Sequence, residues 1–327
     1  IFLKKVLTNG IKCAIIMTQQ NEQFENLSPE AFEVVGTRSN ESDALAKKQV
    51  SFWREVFYRF SRNKLAVVGL VLLFIITVMA IFAPIFSPYS YEESTGLYNS
   101  PPSSENWFGT DDLARDMFVR VWEGAQISLF IGITAAVIDL IIGVLWGSIA
   151  GLKGGRVDNI MMRIADVLTA VPYLLVVIIL LVVMEPGLVP MIIALSITGW
   201  VNMARIVRGE VLSIKNQEYV LASRTLGASN WHLIKKHLIP NAMGAILVTM
   251  TLTIPNAIFT ESFLSYLGLG IEAPRASWGT MASEGVKALQ SAPWRLIFPA
   301  ALISITIFAF NAVGDGLRDA LDPKLRK

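Results

Sequence analysis

Long apolar runs separated by polar segments set the rhythm of the chain, and several approach or exceed the roughly 18 residues taken as a membrane-spanning signal. Six spans are predicted, over 65–86, 127–152, 160–184, 188–206, 243–267 and 296–313. Ahead of the first, Phe52, Val56 and Phe60 fall at i, i+4 and i+8, with Trp53 and Phe57 alongside and Arg54, Arg59 and Arg62 interspersed. That pattern describes a basic amphipathic helix lying in the membrane interface. Ser87-Pro88 and Pro101-Pro102 mark a loop after the first span, and Glu185-Pro-Gly marks a tight turn after the third, which carries Pro172. Gly268–Trp294 reads as a Gly/Pro-rich loop with Trp278 and Trp294 as interface anchors. The predicted fold is an all-α integral membrane protein with six transmembrane helices.

One polar, basic island interrupts the apolar pattern, Glu218 to Pro240. Tyr219, Ala222, Ser223 and Leu226 fall at i, i+3, i+4 and i+7, one face of a short helix. Gly227 suits the left-handed position that ends such a helix. Ser229 or Asn230 can cap a second short helix, and Pro240 suits the first turn of whatever follows. The small residues Ala222 and Ser223 would let another surface approach closely. The segment is expected to dock a partner.

Composition agrees with the pattern. The 327 residues are 53% hydrophobic and 17% charged, with a mean hydropathy of +0.52. Ordinary globular domains carry about 25% charged residues, so the chain is too apolar for a soluble protein of its size. The net charge of +2 is no indication of nucleic acid. Placement of the basic residues says more: 23 of the 28 Lys and Arg fall in the segments on one side of the predicted spans. The positive-inside rule then puts both termini and the island in the cytoplasm.

Residues 1–50 form a cytoplasmic tail in this reading, polar and low in aromatics beyond Met17. Residues 1–16 precede that natural initiator and read as an upstream extension. Residues 51–87 hold the interfacial helix and first span, 88–125 an extracytoplasmic loop, 126–316 a five-helix core with the island at 218–240, and 317–327 a cytoplasmic tail.

The chemistry present is sparse. No Gly-x-x-x-x-Gly-Lys-Ser/Thr phosphate loop, Gly-x-Ser-x-Gly elbow or His-Glu-x-x-His occurs. Any ATP must therefore be bound by partners, and an enzyme reading has no support. Cys13 is the single cysteine, and His232 and His237 at i and i+5 would share a helix face poorly. No metal or other cofactor is expected. Asp111, Asp112 and Asp116 lack the calcium-loop pattern and read as caps, turns and ion pairs with Arg115 or Arg120. Within the spans, Asp139, Asp166 (paired with Arg163) and Glu261 need accounting for. The fifth span is unusually polar, with three threonines, Asn256, Thr260, Glu261 and an internal Pro255. One reading is that Asn256, Glu261 and Asp139 belong to a translocation path; the other is helix–helix hydrogen bonding within the bundle.

Several stretches resemble one family. Leu221-Ala-Ser-x-x-x-Gly227, with His237-Leu-Ile-Pro240 nine residues on, is similar to the cytoplasmic EAA loop of bacterial ABC importer permeases. The family pattern has Glu where Leu221 stands, Ala where Ser223 stands, and Ile where His237 stands. Trp107-Phe-Gly-Thr-Asp-Asp-Leu-Ala-Arg-Asp116 resembles a stretch of the peptide and nickel branch, with Ala114 for the usual Gly. Glu261–Gly270, Ala276-Ser-Trp-Gly279 and Gly314–Pro323 match that branch too. These motifs, in the right order, cover about 52–327 and leave 1–50 unexplained.

The resemblance implies a type I ABC importer permease fold and the role of a C-type membrane subunit in oligopeptide import. It also implies a homologous second permease, two cytoplasmic ATP-binding subunits, an extracytoplasmic peptide-binding protein and a peptide in transit. The island would be the coupling helix that sits in a cleft on the ATPase, through Ala222, Ser223, Arg224 and Gly227, with Glu218 flanking and Pro240 closing the motif. Dipeptides or nickel are alternative substrates within the family. A stand-alone secondary transporter is the alternative from another class, expected to show internal repeats or several charged spans.

Overall fold

The computed structural model describes residues 52–321 apart from 272. The expected N-terminal tail, its start at Met17 and the last residues of the C-terminal tail lie outside that range. No strand occurs among the described residues, whose only extended pairings are isolated bridges between Ser94 and Arg115 and between Thr110 and Asp116.

Two helices open the described part of the chain, α1 (Phe52–Arg62) and α2 (Lys64–Phe86), separated by Asn63, whose side chain caps α2 by accepting from the Ala66 amide at 3.2 Å. Helix α3 (Met117–Lys153) starts at 117 rather than at the predicted 127. Asp116 supplies the reason: its carboxylate accepts from the Val119 amide at 3.0 Å, an N-cap. Val119, Val121 and Trp122 in the added turns are buried against protein.

The third span, predicted as one helix, is two: α4 (Gly155–Ala170) and α5 (Tyr173–Met184), bent by 80°. Pro172 forces the break. It pushes Val171 into extended backbone, φ −76° and ψ 130°, and sits at the N-cap of α5. Helix α6 (Leu188–Ile214) runs on past the predicted 206. The island folds as α7 (Glu218–Thr225) and α8 (Asn230–Leu233). A π turn, Ile234–Leu238, joins α8 directly to α9 (Ile239–Leu264), and a second π turn follows at Ser265–Leu269. Helices α10 (Trp278–Lys287) and α11 (Trp294–Leu321) complete the described chain. Among the described residues five segments are long and apolar enough to cross a membrane, and the bent pair α4–α5, counted as one broken span, makes six.

Helices α3 and α6 share the most extensive contact in the bundle, and glycine explains it. Gly143, Gly147 and Gly151 recur every four residues on α3 and face Met203, Ala204 and Val211 of α6. A Cβ on Gly147 would run into the Ala204 carbonyl oxygen, so this approach is open only to glycine.

Trp278 is not the interface anchor expected of it. It is fully buried, with Nε1 donating to the Val121 carbonyl at 2.8 Å and its amide donating to Ser128 Oγ at 3.1 Å. The loop around it contains the short helix α10, which was read as irregular.

Asp111 pairs as anticipated, accepting from Arg115 Nε at 2.8 Å and lying 3.4 Å from Arg120, whereas Asp112 meets a different partner, Arg295 of α11, at 3.0 Å. Arg120 stands over the Tyr91 ring at 5.0 Å, and burial pushes the Tyr91 hydroxyl above its ordinary value. Ala114 is fully buried with φ +58°, a left-handed conformation that a side chain disfavours. The resembled family has glycine there, and this backbone is the physical reason.

Candidate functional site

Helix α7 stands on the bundle through a single residue. Val220 is buried with Leu152, Val207, Val211, Leu233, Ile234 and Leu238, where α3, α6 and the start of α9 meet. The rest of α7 is outside. Its C-terminus is a Schellman cap: Gly227 donates to the Arg224 carbonyl at 3.0 Å and Ala228 to the Ser223 carbonyl at 3.1 Å. Gly227 has φ +87°, as its place in the pattern predicts. The cap turns Leu226 outward, leaving it 88% exposed.

Glu218, Ala222, Arg224 and Gly227 are all exposed on this projection, and Ser223 is half-buried. Tyr219 and Leu221 are exposed beside them, and Trp231, at the start of α8, is 58% exposed. Pro240 lies apart, in the first turn of α9 beyond the π turn. Four large apolar side chains on a basic segment outside the bundle form a surface suited to protein contact. Leu226 ends the i, i+3, i+4, i+7 face read from the sequence, whereas Trp231 lies outside that pattern. Their signal is the caps beside them, since Gly227 and Ser229 fix the direction in which each neighbour points; Ser229 accepts from the His232 amide at 3.2 Å.

The π turn changes the expectation for the histidines. Its wider winding brings residues five apart onto one side. His232 and His237 have ring centroids 6.0 Å apart, and Tyr219 lies 6.0 Å from His237. Pro240 accounts for the turn. It lacks an N–H and its ring clashes with a regular i−4 carbonyl, and the backbone just before it is already in the wider register, Ile239 donating to the Ile234 carbonyl.

The residues expected along a path lie outside this projection, in three different environments. Asn256 is exposed on α9, in a row with the partly exposed Thr253 and Thr260. The threonine hydroxyls bond back to carbonyls four residues earlier, Thr253 to Thr249 at 2.9 Å and Thr260 to Asn256 at 2.7 Å. That leaves the Asn256 amide as the polar group this face presents.

Glu261 is 0% exposed. Its Oε1 accepts from the Ser265 hydroxyl at 2.8 Å and from the Ser277 hydroxyl. Ser277 is also the N-cap of α10, accepting from the Thr280 amide. The carboxylate therefore ties α10 to α9. Asp139 is 3% exposed on α3, where its carboxylate fills the space that a Cβ on Gly199 of α6 would occupy. Among the described residues its Oδ1 and the Tyr173 hydroxyl have no hydrogen-bond partner.

Asp166 pairs with Arg205 of α6 at 2.9 Å rather than with Arg163. One helix face carries both Asp166 and Asp158, and the latter is bound by Arg208 in a fork, with Nη2 to Oδ2 at 2.6 Å. The two carboxylates of α4 thus hold it to α6. Among the described residues no group of three or more His, Cys, Asp or Glu converges on a common point.

Comparison with known proteins adds the following. Residues 143–327 match the family described as binding-protein-dependent transport system inner membrane component. Residues 51–102 match the N-terminal TM domain of oligopeptide transport permease C. The chain is 63% identical over 306 residues to the oligopeptide transport system permease protein OppC of Bacillus subtilis (strain 168), covering 93% of this chain and 100% of that one. It is 55% identical to the dipeptide transport system permease protein DppC of the same organism, covering 94% and 97%. Against the oligopeptide permease OppC of Escherichia coli (strain K12) the identity is 40%, covering 89% and 97%. Among solved structures, an inward-facing MetNI methionine ABC transporter chain superposes with a TM-score of 0.51 at 17% identity, covering 60% of this chain and 94% of that one. That likeness is one of fold.

Proposed function

The chain belongs to the family of inner membrane components of binding-protein-dependent transport systems, and from that premise we propose that it is a permease subunit of an ATP-driven oligopeptide importer. It is a multi-pass membrane protein and a transporter component rather than an enzyme. The observation that carries the substrate class is the 63% identity to an oligopeptide permease across that protein's whole length. The 55% identity to a dipeptide permease supports dipeptides as the second reading. Competition between a dipeptide and a tetrapeptide for uptake separates the two.

The complex in this reading has a homologous second permease, two cytoplasmic ATP-binding subunits and an extracytoplasmic peptide-binding protein. It sits in a bacterial cell membrane with both termini of this chain, and residues 218–240, in the cytoplasm. Residues 51–87 precede the core, 88–125 lie outside, 126–316 form the core and 317–327 close the chain inside. The projection formed by Glu218, Ala222, Ser223, Arg224 and Gly227 couples to the ATPase, with Leu226 and Trp231 as its apolar contacts and Pro240 fixing the turn behind it. Glu218, exposed one turn before Leu221, supplies the acidic charge that the family pattern puts at 221.

Asn256 belongs on the path, because an exposed amide in a spanning helix faces water or protein rather than lipid. Glu261 and Asp139 serve the same path from behind, by fixing α10 on α9 and α3 on α6. Gly227→Pro tests the coupling. Proline is confined to φ near −65° and has no N–H, so it breaks both the conformation and the bond to Arg224. Peptide uptake should be lost while the protein still reaches the membrane; unchanged uptake would sink the assignment.

A further inference from the structure

A cavity of about 520 Å³ opens where α2 leaves the bundle. That is within the range of small-molecule sites, roughly 300–1,000 Å³. Phe82 and Phe86 of α2 form one wall; Trp107 and Phe118, whose rings meet edge to face at 4.9 Å, form another. Ser104 and Glu105, both exposed loop residues, complete the lining.

Three features select the occupant. First, Phe82 and Phe86 belong both to the cavity and to the exposed apolar face of α2, which also carries Phe74, Ile75 and Ile85. A spanning helix turns such a face to lipid, so the cavity is continuous with the hydrocarbon of the bilayer. Second, it lies at the end of the span, where Ser87-Pro88 takes the chain out of the membrane and Tyr89 and Trp107 supply the aromatic groups that favour the headgroup level. Third, its charge is negative: no Lys or Arg lines it, and its two carboxylates are Glu105 and Asp116. Asp116 is occupied by Asn106 and the Val119 amide. Among the described residues Glu105 has no hydrogen bond or ion pair.

We propose that this cavity binds one glycerophospholipid with an ammonium headgroup, an acyl chain lying between the α2 phenylalanines and the Trp107–Phe118 pair and the ammonium against Glu105. An anionic headgroup would meet the uncompensated carboxylate and be disfavoured. The site needs only that α2 spans the membrane and is independent of the substrate and of the ATPase contact.

The test uses the complete complex, purified from vesicles holding equal amounts of phosphatidylethanolamine and phosphatidylglycerol with matched acyl chains, with retained lipid weighed by native mass spectrometry. The wild type should keep phosphatidylethanolamine over phosphatidylglycerol by about threefold, the scale of one exposed ion pair. Glu105→Gln should bring that ratio close to one. Ser104→Trp, which puts an indole into the cavity from an exposed loop, should lower retention of both lipids roughly tenfold. Equal retention of the two lipids by the wild type would overturn the headgroup assignment. Equal retention by wild type and Ser104→Trp would overturn the site. So would photo-crosslinking from position 86 to a protein subunit instead of to lipid.

Discussion

At the scale of single residues, three positions show how a local conformation fixes a role. Gly227 is legible from pattern alone, because a glycine after an i, i+3, i+4, i+7 face is a helix stop, and its φ of +87° agrees. Gly227→Ala should keep the fold of the projection at a cost of about 1–2 kcal/mol for a left-handed alanine, reducing uptake without abolishing it. Ala114 already bears such a strain at φ +58° within a fully buried site. Ala114→Val adds a branched side chain there, and should lower the unfolding midpoint by the equivalent of about 2–3 kcal/mol in detergent denaturation. Ser277 stands in the sequence only as part of the Ala276-Ser-Trp-Gly279 motif, with no role assigned to it, yet its hydroxyl both caps α10 and donates to Glu261. Ser277→Ala should cost about 2–3 kcal/mol by the same measurement, and proteolysis should then strike first in 270–290. Glu261 itself was conspicuous as a charge inside a span, and Ser265 lies one turn further on, but Ser277 is brought to it only by tertiary structure. The two histidines are a further case, since nothing in a 3.6-residue period foretells the π turn that joins them.

At the scale of elements, the spans were legible because length and apolarity are what a bilayer demands, and the exceptions have particular causes. Pro172 was visible as a proline, whereas the 80° bend depends on where α4 and α5 find packing partners. Helix α10 was hidden because ten residues carry a weak periodic signal and Trp278, read as an anchor, turns inward. Glycine spacing on α3 was present in the sequence, but its meaning comes from α6. Gly147→Ala should destabilise the α3–α6 pair by about 1–3 kcal/mol, because its Cβ meets backbone rather than a movable side chain. Gly209→Ala on α6, where nothing lies within 4 Å, should be neutral or stabilising, up to about 1 kcal/mol from helix propensity. Parallel denaturation of the two variants checks the contrast. Helix α4 is held differently, by charge. A double-mutant cycle of Asp158→Asn and Arg208→Gln should give a coupling of about 1–2 kcal/mol, and a coupling near zero would mean α4 moves independently of α6.

At the scale of the whole molecule these elements form a train from surface to membrane. The projection α7 rests on Val220 and continues directly into α6; α6 is locked to α3 by the glycine seam and to α4 by two ion pairs. In the proposed coupling a push on α7 would be passed to three helices at once, a rigid-body shift of the kind by which domains switch states. On its other side the projection continues through α8 and the π turn into α9, which carries Asn256. The central claim is that Leu226 and its neighbours meet the ATP-hydrolysing subunit. Thiol crosslinking measures it most directly: Leu226→Cys, in a chain with Cys13→Ser, treated with a short bifunctional maleimide in membranes containing the whole complex. The account predicts a product joining this chain to the ATP-binding subunit, lost when Gly227→Pro is added. A cysteine at 226 that forms no such product, and is instead labelled by a membrane-impermeant maleimide applied to intact cells, would contradict it.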